Sequence, residues 1–144
     1  MTVEIETIDG DAADLARQVE AALDEAARLL GKPFDDDGIN LRASDGDGGF
    51  LGGLCGVVLQ RWLYVRLLAV TPQARTLGVG RALMAGAEAE ARRRGLVGVY
   101  LDTYDFQAPG FYEKLGYSEF GRLPAAGGAP LRIYFAKPFG GDMP

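Results

Sequence analysis

The stretch Arg75-Thr76-Leu77-Gly78-Val79-Gly80-Arg81 decides the reading of this sequence. It stands between an apolar, β-rich run from Trp62 to Thr71, closed by Pro72, and a helical pattern with Val79, Leu83, Ala87 and Ala91 on one face. A helix start carries free amides and the positive end of the helix dipole. Glycines there let the backbone approach a ligand, and free amides suit phosphate. No Ser, Thr, Asp or Asn directly precedes Gly78 to cap those amides. Arg75 and Arg81 add positive charge. The segment is no P-loop, since no Gly-Lys-Ser/Thr follows. Leu83 also occupies the third glycine position of a dinucleotide fingerprint.

Working outward, the helix closes on Arg92-Arg93-Arg94 with Gly95 beyond, as dipole and C-cap geometry favour. Upstream, Phe50–Gln60 and Trp62–Thr71 read as strands paired through a tight turn at Gln60-Arg61, and Ile39–Ala43 as a shorter strand. Val3 and Ile5 alternate with Glu4 and Glu6, which predicts a first strand. Leu15, Val19, Leu23, Ala26 and Leu30 form the apolar face of a helix capped by Asp9 or Asp11 and stopped by Gly31 and Pro33. Downstream, Val97–Tyr104 is a strand, Ala108–Leu115 a short helix, and Ser118–Leu123 and Leu131–Lys137 are final strands. The order β-α-β-β-β-α-β-α-β-β predicts an α/β (α+β) sheet with parallel and antiparallel pairs in one domain, residues 1–144.

Composition narrows the chemistry. The 144 residues include no histidine and one cysteine, Cys55. Ser-His-Asp machinery, a histidine-ligated metal, a zinc finger and an internal disulfide are therefore excluded. Proton transfer must rest on Tyr, Asp, Glu, Lys or water. The net charge of −5 is uneven: residues 1–72 hold 13 acids and 6 bases, residues 73–144 hold 7 acids and 9 bases. That balance argues against nucleic acid. No run approaches the ~20 apolar residues that span a bilayer, and no secretory signal precedes the first elements, so a cytoplasmic location is expected.

A second motif, Ala108-Pro109-Gly110-Phe111-Tyr112-Glu113-Lys114-Leu115-Gly116-Tyr117, lies one helix and one strand after the first. Together the two segments resemble the GNAT superfamily of acyl-CoA N-acyltransferases. The first is similar to its Arg-x-x-Gly-x-Gly signature, with a strand ending in Leu68-Ala69-Val70 before it. The second is similar to its Ala-x-x-Phe-Tyr-x-x-x-Gly-Tyr/Phe segment. The likeness runs from about Trp62 to Phe120, and the element order extends it along the chain.

This resemblance implies a mixed, mostly antiparallel sheet of about six to seven strands flanked by helices, with central strands splayed around acetyl-CoA as co-substrate and no metal. Backbone of Leu68, Ala69 and Val70 would pair with the pantetheine arm, and amides from Arg75 through Thr76, Leu77, Gly78, Val79 and Gly80 to Arg81 would hold the pyrophosphate. Tyr112 matches the tyrosine that protonates the departing thiolate; a phenol, with a pKa of ~10, carries its proton at neutral pH. A helix aromatic packed in the core is the other reading of Tyr112. The acceptor would be a small-molecule or peptide amine, and the class allows a homodimer. Tyr64, Arg66 and Asp102 are candidates for the acceptor pocket.

Two departures matter. Many members place an acid on a central strand as proton acceptor, but no Asp or Glu occurs from Gly48 through Ala87. Arg66 there is expected either to reach solvent, to bind a substrate carboxylate or to pair with Asp102, leaving Asp102 as a base or as a neutralising partner. Asp105 stands where the family often has Asn near the pantetheine, and a carboxylate cannot donate as an amide does. A non-catalytic acyl-CoA sensor or interaction module is the alternative from another class, with a plain dinucleotide-binding domain behind it. Asp45-Gly46-Asp47 reads as a turn, and Asp35–Asp37 as a solvated loop near the acceptor side.

Overall fold

A glycine-rich strand, Phe50–Leu59, and the tight turn after it set the start of the sheet. β1 (Gly38–Ser44), β2 (Phe50–Leu59) and β3 (Trp62–Val70) form an antiparallel meander in this computed structural model, which describes residues 1–34 and 37–140. Asp35 and Asp36 lie outside the described residues. Between β1 and β2, Asp45 Oδ1 accepts from the amides of Asp47 and Gly49, both at 2.8 Å, which makes this segment the turn expected. Between β2 and β3, Gln60 and Arg61 both take positive φ, 48° and 71°, the two-residue turn whose twist matches its flanking strands.

Arg75 closes a short 3₁₀ turn, Pro72–Ala74, after β3. The helix that follows, Val79–Arg93, buries Val79, Leu83, Met84, Ala87 and Ala91. These lie on the face its spacing predicts, against Leu54, Leu63, Val65, Val99, Leu101 and Phe135. Full burial of each larger side chain contributes about 1.5–3 kcal/mol. Gly95 ends the helix with φ 74°, and its own and Leu96's amides reach back to Arg92 and Ala91.

β4 (Gly98–Tyr104) pairs parallel to β3, and β5 (Ser118–Leu123) and β6 (Arg132–Pro138) complete a six-stranded sheet of order β1-β2-β3-β4-β6-β5. All pairs but β3–β4 are antiparallel. The parallel pair fits the crossover through the Val79–Arg93 helix.

The chain falls into two compact units, Met1–Phe34 and Asp35–Pro144. The first holds the N-terminal helix, α1 (Ala13–Leu29). Asp11 Oδ1 accepts from the Ala13 amide at 3.0 Å, and Gly31 at φ 71° terminates the helix. The strand expected at Val3–Ile5 is absent: residues 1–9 are irregular, with Val3 and Ile5 exposed. Alternation supplies a face but no ladder partner, and strand backbone needs one. The later helices are α2 (Val79–Arg93) and α3 (Pro109–Lys114).

A polar cluster anchors α3. Glu88 of α2 accepts from Lys137 Nζ at 2.8 Å and from the Tyr117 hydroxyl at 3.0 Å. Lys137 also donates to the Leu115 carbonyl at 2.9 Å, and the Tyr117 amide to the Tyr112 carbonyl at 3.0 Å. Burial and the Glu88 carboxylate push the Tyr117 phenol well above its ordinary value. Unfolded, that phenol ionises near ~10 while the folded one still holds its proton. Stability is therefore expected to fall as pH rises past ~10, with a shallower fall in Tyr117→Phe, read by denaturant midpoints across pH. A second expectation concerns Gly98, where a Cβ would lie 2.6 Å from Trp62 Cζ3 and 2.8 Å from the Lys137 carbonyl. Gly98→Ala should cost about 1–3 kcal/mol in the same measurement.

Candidate active site

The β3–β4 ladder is short. It runs from Trp62↔Gly98 to Val65↔Leu101 and stops, although both strands continue, to Val70 and Tyr104. At that point β3 carries a bulge: Cys55 faces Leu67 and Gly56 faces Val65, so Arg66 is an extra residue without a β2 partner. Past the bulge the strands diverge around a cleft of about 890 Å³.

Four parts of the chain line it: the free end of β3, the start of α2, the end of β4 and the first turns of α3. Leu68, Ala69 and Val70 form one wall. At the start of α2, Gly78 is the N-cap at φ 73° and no side chain caps the helix. Only glycine adopts that left-handed conformation without strain, and the first-turn amides are left without a side-chain cap. Arg75, Gly78, Gly80 and Arg81 line the cleft. Thr76 and Leu77 are exposed and outside the lining, and the Val79 side chain is in the core.

Tyr112 of α3 lines the cleft and is partly buried. Its ring packs against Phe111, Tyr117 and Phe135, with centroids 5.1, 6.2 and 5.9 Å away. Burial, and then the negative charge of Asp102, raise its phenol above the ordinary value. The two readings of Tyr112, core aromatic and cleft residue, thus meet in one side chain: the ring is packed and the residue faces the cleft.

Asp102 lines the cleft just past the last ladder pair. Its guanidinium partner is Arg132 of β6, through Nε at 3.0 Å and Nη2 at 2.9 Å, both to Oδ1. Oδ2 accepts from the Tyr64 hydroxyl at 2.7 Å. Burial and the Asp102 carboxylate push the Tyr64 phenol up to about 12. The pairing of Arg66 with Asp102 is not formed; Arg66 is exposed and lines the cleft instead. Tyr64 lies outside the lining and acts on it only through Asp102.

Sequence reading missed Arg132 and Gln107. Arg132 is 30 residues from Asp102 and becomes its neighbour only through the antiparallel β4–β6 register, in which Tyr104 faces Arg132. Gln107 lines the cleft; its Oε1 accepts from the Tyr104 amide and the Thr103 hydroxyl, both at 3.0 Å, leaving the side-chain NH₂ as donor. Asp105, by contrast, is exposed and outside the lining. Among the described residues, no group of three or more acidic or Cys side chains is placed to hold a metal ion, and no helix is long and apolar enough to cross a membrane.

A family model described as an acetyltransferase (GNAT) domain matches residues 37–119. A blasticidin-S acetyltransferase of Streptomyces morookaense is 47% identical over 78 residues, 54% of this chain and 57% of that protein. An Agrobacterium tumefaciens protein assigned as an acetyltransferase has a crystal structure with TM-score 0.86 and 29% identity, over 95% of this chain and 100% of that one. A Bacillus anthracis str. Ames protein assigned as a streptothricin acetyltransferase, solved in complex with acetyl coenzyme A, gives TM-score 0.66 and 25% identity, over 74% and 65%. The chain spans half to two thirds of the length of the curated relatives it matches. The splayed six-stranded sheet and the glycine-marked start of α2 agree with a family model that takes in more than half of the residues, and the chain belongs to the GNAT acetyltransferase family.

Proposed function

We propose that this chain acts as one acyl-CoA N-acyltransferase-like domain that moves an acetyl group from acetyl-CoA to an amine, by direct attack within a ternary complex. The observation that carries this reading is the cleft at the end of the β3–β4 ladder, which has an uncapped helix start at one end and a phenol and a carboxylate further along its wall. Its volume of about 890 Å³ suits an extended ligand. The first amides of α2, with Arg75 and Arg81, are the groups to hold the pyrophosphate. The backbone of Leu68 to Val70, freed from β4, is the strand to pair with the pantetheine arm. Gln107 supplies the amide donor that Asp105 lacks.

Acetyl-CoA brings an activated thioester. The amine nitrogen attacks the carbonyl carbon, the C–N bond forms and the C–S bond breaks. A β3 backbone amide stabilises the oxyanion. The Tyr112 hydroxyl gives its proton to the leaving sulfur; its raised pKa keeps that proton in place at neutral pH. The proton lost by the amine leaves through water and restores the phenol. Asp102 is the single carboxylate among the described lining residues, held by Arg132 and Tyr64 where the ladder ends. Alignment of amine and thioester supplies much of the acceleration. The acceptor is a small-molecule or peptide amine. A cytoplasmic location belongs to the same proposal.

Two measurements test the reading. Millimolar CoA or acetyl-CoA should raise the melting temperature by linkage; an unchanged melting temperature removes the cofactor assignment. Tyr112→Phe should lower kcat about ten- to a thousandfold while that melting shift persists. An unchanged kcat in this variant would remove the acid role.

A further inference from the structure

We infer that the acceptor is an amine that also carries a carboxylate, of the amino-acid type, and that Arg66 reads the carboxylate; this rests on the acetyl-transfer reading above. Three observations converge. Arg66 is the bulged residue of β3, and bulges turn a side chain away from the ladder. It lines the cleft directly after the last β3–β4 pair, level with Asp102 on the neighbouring strand. It has no hydrogen-bond or ion-pair partner among the described residues, whereas Asp102 is already neutralised by Arg132.

Charge then selects the ligand. The lining carries Arg66, Arg75, Arg81 and Lys114 against one carboxylate, Asp102. Arg75 and Arg81 stand at the start of α2, where phosphates are expected. Arg66 and Lys114 remain, and of the two Arg66 stands where the β3–β4 ladder ends, level with Asp102. A planar guanidinium with all its donors free matches a carboxylate in two parallel hydrogen bonds. Polycationic acceptors meet repulsion from the same group. A molecule with an amine and a carboxylate on adjacent carbons, or one carbon further apart, satisfies both: the amine turned toward the thioester near Asp102, the carboxylate on Arg66.

The experiment measures free-thiol release from acetyl-CoA with phenylalanine, methionine and aspartate, each beside its α-carboxamide, and with spermidine. In the wild type, kcat/KM for at least one free acid should exceed that of its amide by ~10- to 100-fold, the value of a charge-assisted pair. Arg66→Gln should shrink that ratio at least tenfold, and Arg66→Lys, which keeps the charge and loses the fork, should fall between. Amides or spermidine turning over as well as or better than the acids overturns the inference and leaves acetyl transfer standing. So does a ratio that survives in Arg66→Gln. Loss of the CoA melting shift in Arg66→Gln assigns the side chain to the cofactor and also overturns it. No thiol release from any of these amines, with the CoA melting shift retained, also overturns the inference, while loss of that shift in the wild type overturns the cofactor assignment on which it rests.

Discussion

The interruption of the β3–β4 ladder after Val65↔Leu101 is the constraint on which the rest of the site depends. Parallel neighbours share evenly spaced hydrogen bonds, so a strand that leaves its partner exposes a row of backbone donors and acceptors. In most sheets that is a liability. Here the exposed row from Arg66 to Val70 becomes the wall of a cleft whose other side is built by the start of α2 and the first turns of α3. The bulge at Arg66 sits at the parting point and gives the divergence a local cause.

Two polar clusters hold the borders of that opening. On the core side, Glu88, Lys137 and Tyr117 tie α2, β6 and the end of α3 together, which fixes the helix carrying Tyr112. Near the ladder's end, Asp102 gathers Tyr64 from β3 and Arg132 from β6. Each cluster joins three segments that are far apart in sequence. Each surrounds a carboxylate with its donors, the condition under which a half-buried charge is tolerated.

The legible part of the molecule was its local part. The α2 face, the Gly31 and Gly95 stops, the Gln60-Arg61 turn and the strand boundaries follow from period, turn chemistry and capping, all written within a few residues. Sequence reading erred at Val3–Ile5, where alternation had no partner strand to pair with, and it left Asp102 without its true guanidinium. Arg132 carries no mark of its own: only the β4–β6 register brings it to Asp102. The bulge is equally silent, because one extra residue changes no composition and no propensity. The absence of histidine, at first an exclusion, fits the proposed reading, in which a phenol is the acid and backbone amides and arginine hold the anions.

The bulge also makes residue count, apart from residue identity, a structural variable in β3. Side chains alternate with a period of two, and a bulge absorbs one extra residue so that what lies beyond it keeps its face. The core-facing residues of β3 are accordingly odd-numbered before position 66, Leu63 and Val65, and even-numbered after it, Leu68 and Val70. Shortening β3 by that single position would make the ladder with β2 regular while leaving Leu67 to Val70 opposite the same partners and facing the same way. Position 66 thus adds a side chain to the cleft wall without disturbing the alternation on either side of it.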